Sequence, residues 1–154
     1  MTESQVLLSL EIADAEAMDD LGLVLANNFQ AGDLVLLIGP LGAGKTTLAR
    51  GIGKGLEVEG NVSSPTFVIA RTHQRKGAPL VHVDAYRLAS AFELDDLDIP
   101  FASSIVLVEW GKGLTEDIAD SWLEVQIDRD STGRTELRKV TVTGFGERWA
   151  KVKF

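Results

Sequence analysis

The chain has 154 residues, 45% hydrophobic and 25% charged, a balance that belongs to one folded domain over residues 1–154 and excludes a disordered chain. Its formal charge of −8 excludes a protein that grips nucleic acid with its own surface, so a role near RNA or DNA would need a basic partner. With no cysteine there is no thiolate chemistry; with no signal-like start and no apolar run of membrane length, the expected setting is cytoplasmic, without membrane contact.

Val6–Ile12 has strand composition, and Asp14 is placed to cap a helix running to about Asn28. Met18, Leu21, Leu25 and Phe29 recur at helical spacing as the core face of that helix. Ala31-Gly32-Asp33 turns the chain into Leu34–Ile38, a continuous apolar run that reads as a buried strand. Directly after it stands Gly39-Pro40-Leu41-Gly42-Ala43-Gly44-Lys45-Thr46-Thr47, a complete G-x-x-x-x-G-K-S/T phosphate-binding loop. The glycines permit a turn too tight for side chains, so the amides of Leu41, Gly42, Ala43 and Gly44 can point at phosphate oxygens. Lys45 would reach the β/γ-phosphates of ATP or ADP, and the Thr46 hydroxyl would ligate Mg²⁺. The helix that follows carries Leu48, Ile52 and Leu56 on one face. Gly51, Gly53 and Gly55 each weaken it by roughly 1 kcal/mol relative to alanine, and the sequence leaves open whether they allow close packing or end the helix early.

Val62–Phe67 is extended, because the residue before Pro65 avoids the helical region. Phe67–Thr72 and Leu80–Asp84 read as a hairpin turning through Gln74–Pro79; symmetry about residue 75 would set Thr66 opposite Asp84. Ala91–Leu97 is a short acidic helix closed by Pro100, and Ile105–Val108 is a second buried strand, ending in Glu109-Trp110-Gly111. Trp122–Asp128 and Arg138–Thr143 alternate as a last hairpin around Asp130–Arg134. The expected fold is an α/β phosphate-loop fold: a mostly parallel central sheet flanked by helices, with antiparallel strands from the two hairpins.

Two acids end apolar strands, Asp84 and Glu109, and ligands in open α/β sheets sit at such carboxyl ends, where the loop also emerges. Glu109 has the position of a magnesium-site acid, against the plainer reading of a solvated strand-end carboxylate. Asp84 could orient the attacking water, accept its proton, or cap the residues after it. Thr66, after Ser64-Pro65, has the look of a switch threonine that senses Mg²⁺ and the γ-phosphate; otherwise it is an ordinary strand threonine. His73 and His82 read as structural or exposed. Trp110 is either a packing wedge or a contact surface that feels the nucleotide state.

Together Gly39–Thr47, Val62-x-Ser64-Pro65-Thr66-Phe67, His82-x-Asp84-x-Tyr86-Arg87-Leu88 and Val108-Glu109-Trp110 resemble the bacterial TsaE (YjeE) family, over nearly the whole chain and including Gly133-Arg134. The resemblance implies a small ATPase of the machinery that makes N6-threonylcarbamoyladenosine at position 37 of tRNAs reading codons that begin with A. Such a protein binds the TsaB and TsaD proteins and drives their turnover, without forming the modified base or holding the tRNA strongly itself. It further implies that Lys45 and Thr47 contact phosphate, that Thr46 and Glu109 hold Mg²⁺, and that Thr66 and Asp84 serve hydrolysis. Arg134 would approach the nucleotide and Trp110 would couple the site to the partner. Pro40 departs from the acidic residue common there, and having no N–H it cannot contact phosphate. The alternative is a small-molecule kinase, which should add an arginine-rich lid; the basic clusters Arg71–Arg75–Lys76 and Arg134–Arg138–Lys139 fall instead on hairpins. A GTP switch would need an N-K-x-D base reader, which asparagines 27, 28 and 61 cannot supply.

Overall fold

The apolar run Leu34–Ile38 (β2) is the middle strand of a seven-stranded sheet in this computed structural model, which describes residues 3–40, 42–60, 70–84, 99–109, 119–129, 132, 135 and 137–154. The other strands are β1 (Ser4–Ile12), β3 (Ala70–His73), β4 (Leu80–Asp84), β5 (Ile105–Glu109), β6 (Trp122–Arg129) and β7 (Arg138–Phe145). Their order is β1-β7-β6-β2-β5-β4-β3. The four inner strands β6, β2, β5 and β4 run parallel, while β3 pairs antiparallel with β4 and the β7–β1 pair continues antiparallel from β6. The expected architecture is therefore the observed one. Leu34–Leu37 and Ile105–Val108 are buried throughout, as inner strands covered on both faces require.

One face of the sheet, with Val35, Leu37, Leu80, Leu107, Val125 and Ile127, packs against α1 (Ala15–Ala26) and α2 (Lys45–Gly55). On the other face lie Leu34, Leu36, Val81, Val83, Val106 and Val108, together with Trp122, which stacks on Phe145 at 4.8 Å between ring centroids. Asp14 caps α1 as its sequence position predicts, its side chain accepting from the Ala17 amide at 2.8 Å. The helix ends at Ala26 instead of near Asn28, and Phe29 turns edge-on to the buried Trp149 ring, 6.3 Å away.

Gly51 and Gly55 of α2 serve close packing against α1. A Cβ on Gly22 of α1 would stand 2.6 Å from the Gly51 carbonyl carbon, and one on Gly51 would strike the Asp19 carbonyl oxygen. α2 runs through Gly51 and Gly53 to Gly55 without ending early. At the far end of the chain, Arg148 clamps the entrance to β2. Its Nε and Nη2 donate to the Asp33 carboxylate at 2.8 and 3.0 Å, and Nη2 also donates to the Asn28 carbonyl at 2.7 Å.

The first hairpin corrects the expected register. Ala70 pairs with Val83 and His73 with Leu80, so the turn is centred between Lys76 and Gly77, not on residue 75. Gly77, at φ +102°, supplies the left-handed conformation on which the chain reverses. The register over the described residues is displaced by three from the expected one. Thr66 itself, and the short helix expected at Ala91–Leu97, lie outside the described residues.

Candidate phosphate-loop site

The loop after β2 is shaped by what it cannot hold. A Cβ on Gly39 would lie 2.7 Å from the Ile127 carbonyl oxygen, so the chain leaves the sheet hard against β6. Gly42 and Gly44 adopt φ +78° and +113°, the left-handed region that side chains rarely enter. Gly44 is also the N-cap of α2 and offers no side-chain acceptor, so the first amides of the helix are not capped by it. Amides left in this way, at the positive end of a helix, favour an anion.

Lys45 opens α2 and is buried, its Nζ donating to the Gly39 carbonyl at 2.6 Å across the loop. Burial lowers its pKa from the ordinary lysine value, while the carboxylates of Glu109 and Asp84 pull it back up. Both acids thus lie within electrostatic range of the loop lysine. The sheet explains why. Asp84 of β4 and Glu109 of β5 are register partners, and Glu109 is in turn opposite Leu37, two residues before Gly39. Parallel pairing puts the ends of β2, β4 and β5 on one edge, so acids 25 residues apart in sequence meet the loop there. Glu109 is buried and Asp84 is half-buried. Thr46 and Thr47, both half-buried, follow Lys45 in the first turn of α2.

Three further features were not read from the sequence. His82 is wholly buried, and its Nε2 lies 2.7 Å from Glu109 Oε2. Arg138, opposite Arg129 in the β6–β7 register, donates from Nε to the Ala43 carbonyl at 3.2 Å. Arg129 itself comes so near the loop that a Cβ on Gly42 would stand 3.3 Å from its Nη1. Finally, a cavity of about 150 Å³ adjoins the loop, lined by Asp14, Ala15, Met18, Gly42, Ala43, Gly44, Thr47 and Arg138. The basic cluster containing Arg138 was visible in the sequence, but not its bond to the Ala43 carbonyl, 95 residues away in the chain.

A hydroxyl at Thr46 and a carboxylate at Glu109 are of the oxygen type a hard cation takes, and these two residues could hold one. Among the described residues no three His, Cys, Asp or Glu side chains gather into a metal cage. Magnesium at a nucleotide site asks for less, one or two protein oxygens completed by phosphate and water. Leu41, Thr66, Trp110 and Arg134 lie outside the described residues. No helix among the described residues is long and apolar enough to cross a membrane.

A strand–loop–helix unit with this glycine geometry, set in a mostly parallel sheet, defines an α/β protein of the phosphate-loop fold. The crystal structure of YdiB from Bacillus subtilis superimposes with a TM-score of 0.75 at 28% identity, covering 97% of this chain and 90% of that one. In sequence, residues 12–139 match the family described as threonylcarbamoyl adenosine biosynthesis protein TsaE. The TsaE protein of Streptomyces coelicolor is 55% identical over 140 residues, covering 86% of this chain and 94% of its own. The TsaE protein of Mycobacterium tuberculosis H37Rv is 47% identical over 128 residues, 76% of each chain, and that of Bacillus subtilis 38% identical over 119 residues, 77% of this chain and 73% of its own. The chain belongs to the TsaE family.

Proposed function

We propose that this protein binds ATP with Mg²⁺ at residues 39–47, hydrolyses it, and thereby serves the formation of N6-threonylcarbamoyladenosine in tRNA, acting on a complex of the TsaB and TsaD proteins. Its relatives' names support the tRNA pathway. The observation that carries the ATPase reading is the shared edge: Lys45, Asp84 and Glu109 come from three elements and meet beside the loop. In this reading the loop amides and Lys45 offset the charge of the β/γ-phosphates. An ammonium has three donors, so Lys45 can take a phosphate oxygen while keeping its bond to Gly39. Thr46 and Glu109 hold Mg²⁺, which when bound neutralises charge on the phosphate oxygens. Asp84, with Thr66, orients the attacking water. Arg134 approaches the nucleotide, and Trp110 carries the nucleotide state to the partner. The cavity beside Met18 and Thr47 offers the nucleoside a place continuous with the loop.

Among the described residues a kinase reading gains nothing comparable. Arg75 is engaged with the carbonyls of Leu56 and Ala78 at 2.6 and 3.0 Å, holding its own hairpin in place. The test is thermal shift with ATP, GTP and Mg²⁺, with and without small phosphoryl acceptors. Stabilisation by ATP and Mg²⁺ that no acceptor alters is the expected result. Phosphate transfer to an added acceptor would reinstate the kinase.

A further inference from the structure

His82 interrupts an otherwise apolar strand, Leu80-Val81-His82-Val83, and alternation turns it to the helix-covered face with Leu80 and Asp84. It is opposite Leu107 in the parallel β4–β5 register, so Glu109, two residues on, is its diagonal neighbour on that face. The ring is 0% exposed, its Nε2 is 2.7 Å from Glu109 Oε2, and its buried Nδ1 has no hydrogen-bond partner among the described residues. An ionised carboxylate only accepts, so in this bond the imidazole donates from Nε2. A leucine or valine would fill this position without leaving a buried polar atom unsatisfied. The ring's described polar contact is with Glu109.

We propose that His82 is the positioning residue for Glu109: by occupying Oε2 from a fixed place in the core, it holds the carboxylate in the orientation that serves the cation. The inference rests on the reading of Glu109 as the magnesium-site acid. A glutamate has three rotatable side-chain bonds, and the ammonium of Lys45 is within its electrostatic reach. With the His82 bond gone, the carboxylate is free to turn out of that orientation, which takes a ligand from Mg²⁺ and leaves the loop's hold on phosphate in place. Partners of this kind, behind a metal's direct ligands, set ligand orientation, and their loss weakens metal affinity or activity roughly 10–100-fold.

The experiment compares wild type, His82→Leu, His82→Gln and Glu109→Gln. ADP affinity is measured by calorimetry with and without Mg²⁺, beside the Mg²⁺ needed for half-maximal hydrolysis. His82→Leu should raise the Mg²⁺ requirement roughly 10–100-fold and leave ADP affinity in the absence of Mg²⁺ unchanged. His82→Gln, which can bring an N–H near the place of Nε2, should restore most of the loss. Where thermal unfolding shows that His82→Leu has not folded, His82→Asn replaces it, its amide being too short to reach Glu109. A wild-type Mg²⁺ requirement in the folded Leu or Asn variant overturns the proposal, as does a Gln variant no better than they are. If Glu109→Gln shifts the requirement and His82→Leu does not, only the role of His82 is lost. If Glu109→Gln shifts nothing, the magnesium reading of Glu109 fails first and the positioning role fails with it.

Discussion

Two buried cations-in-waiting show how position decides what a residue does. Lys45 is buried, yet its ammonium donates to a backbone carbonyl and feels the charge of two acids at the phosphate loop. Lys45→Ala should therefore abolish measurable ADP and ATP affinity while leaving the fold intact, since the lysine contributes charge to the site and little to the core. Calorimetry on the folded variant checks this, and unchanged affinity would defeat the phosphate-loop assignment. His73 is the opposite case. Burial, then the neighbouring His82 and Arg71, hold its pKa below the ordinary 6.5. As pH falls, the unfolded chain takes up the proton before the folded chain does, so stability is lost below about 6.5 and levels off beneath the lowered folded value. Melting temperatures measured as pH is lowered through that window should fall less steeply in His73→Gln than in wild type; parallel curves would show that His73 does not contribute. The loop residues were legible because their signal is local, a spacing of glycines ahead of a lysine. His82 was not, because its partner is 27 residues away and only the register of β4 on β5 joins them.

Elements show the same division between local and non-local information. The strands β2 and β5 and the cap at Asp14 follow from runs and spacings that the sequence displays openly. The hairpin β3–β4 exists as expected, but its register is three residues from the expected one, because the chain pivots on Gly77 and composition alone does not rank Gly77 above the other turn residues. The glycines of α2 posed a question the sequence leaves open, since a helix end and a helix contact both favour glycine. The α1–α2 contact answers it. Gly51→Ala should lower stability on balance, because moving the backbone of Asp19 to admit the methyl group costs up to about 3 kcal/mol. That loss outweighs the roughly 1 kcal/mol alanine gains in helix propensity. A urea midpoint equal to or above wild type would show that the two helices can separate without loss.

At the scale of the molecule, net charge and site placement make one argument. A chain of −8 charge is poorly suited to hold tRNA, so the proposed work on tRNA would pass through a partner that binds it. The fold class was legible because alternating strand and helix patterns leave few topologies, and a phosphate loop after a buried strand selects among them. The meeting of Asp84 and Glu109 beside Lys45 was legible only as a rule about strand ends, which the parallel register of β4, β5 and β2 then satisfies. In phosphate-loop enzymes a partner that adds positive charge at the γ-phosphate, or closes over the site, accelerates hydrolysis. The central claim, an ATPase that works on a partner, is tested most directly by steady-state phosphate release from ATP and Mg²⁺, with the protein alone and with the TsaB–TsaD complex. Slow release alone, raised by ~10³-fold or more in the complex, is the predicted result; fast release by the lone protein, unchanged by the complex, would contradict it.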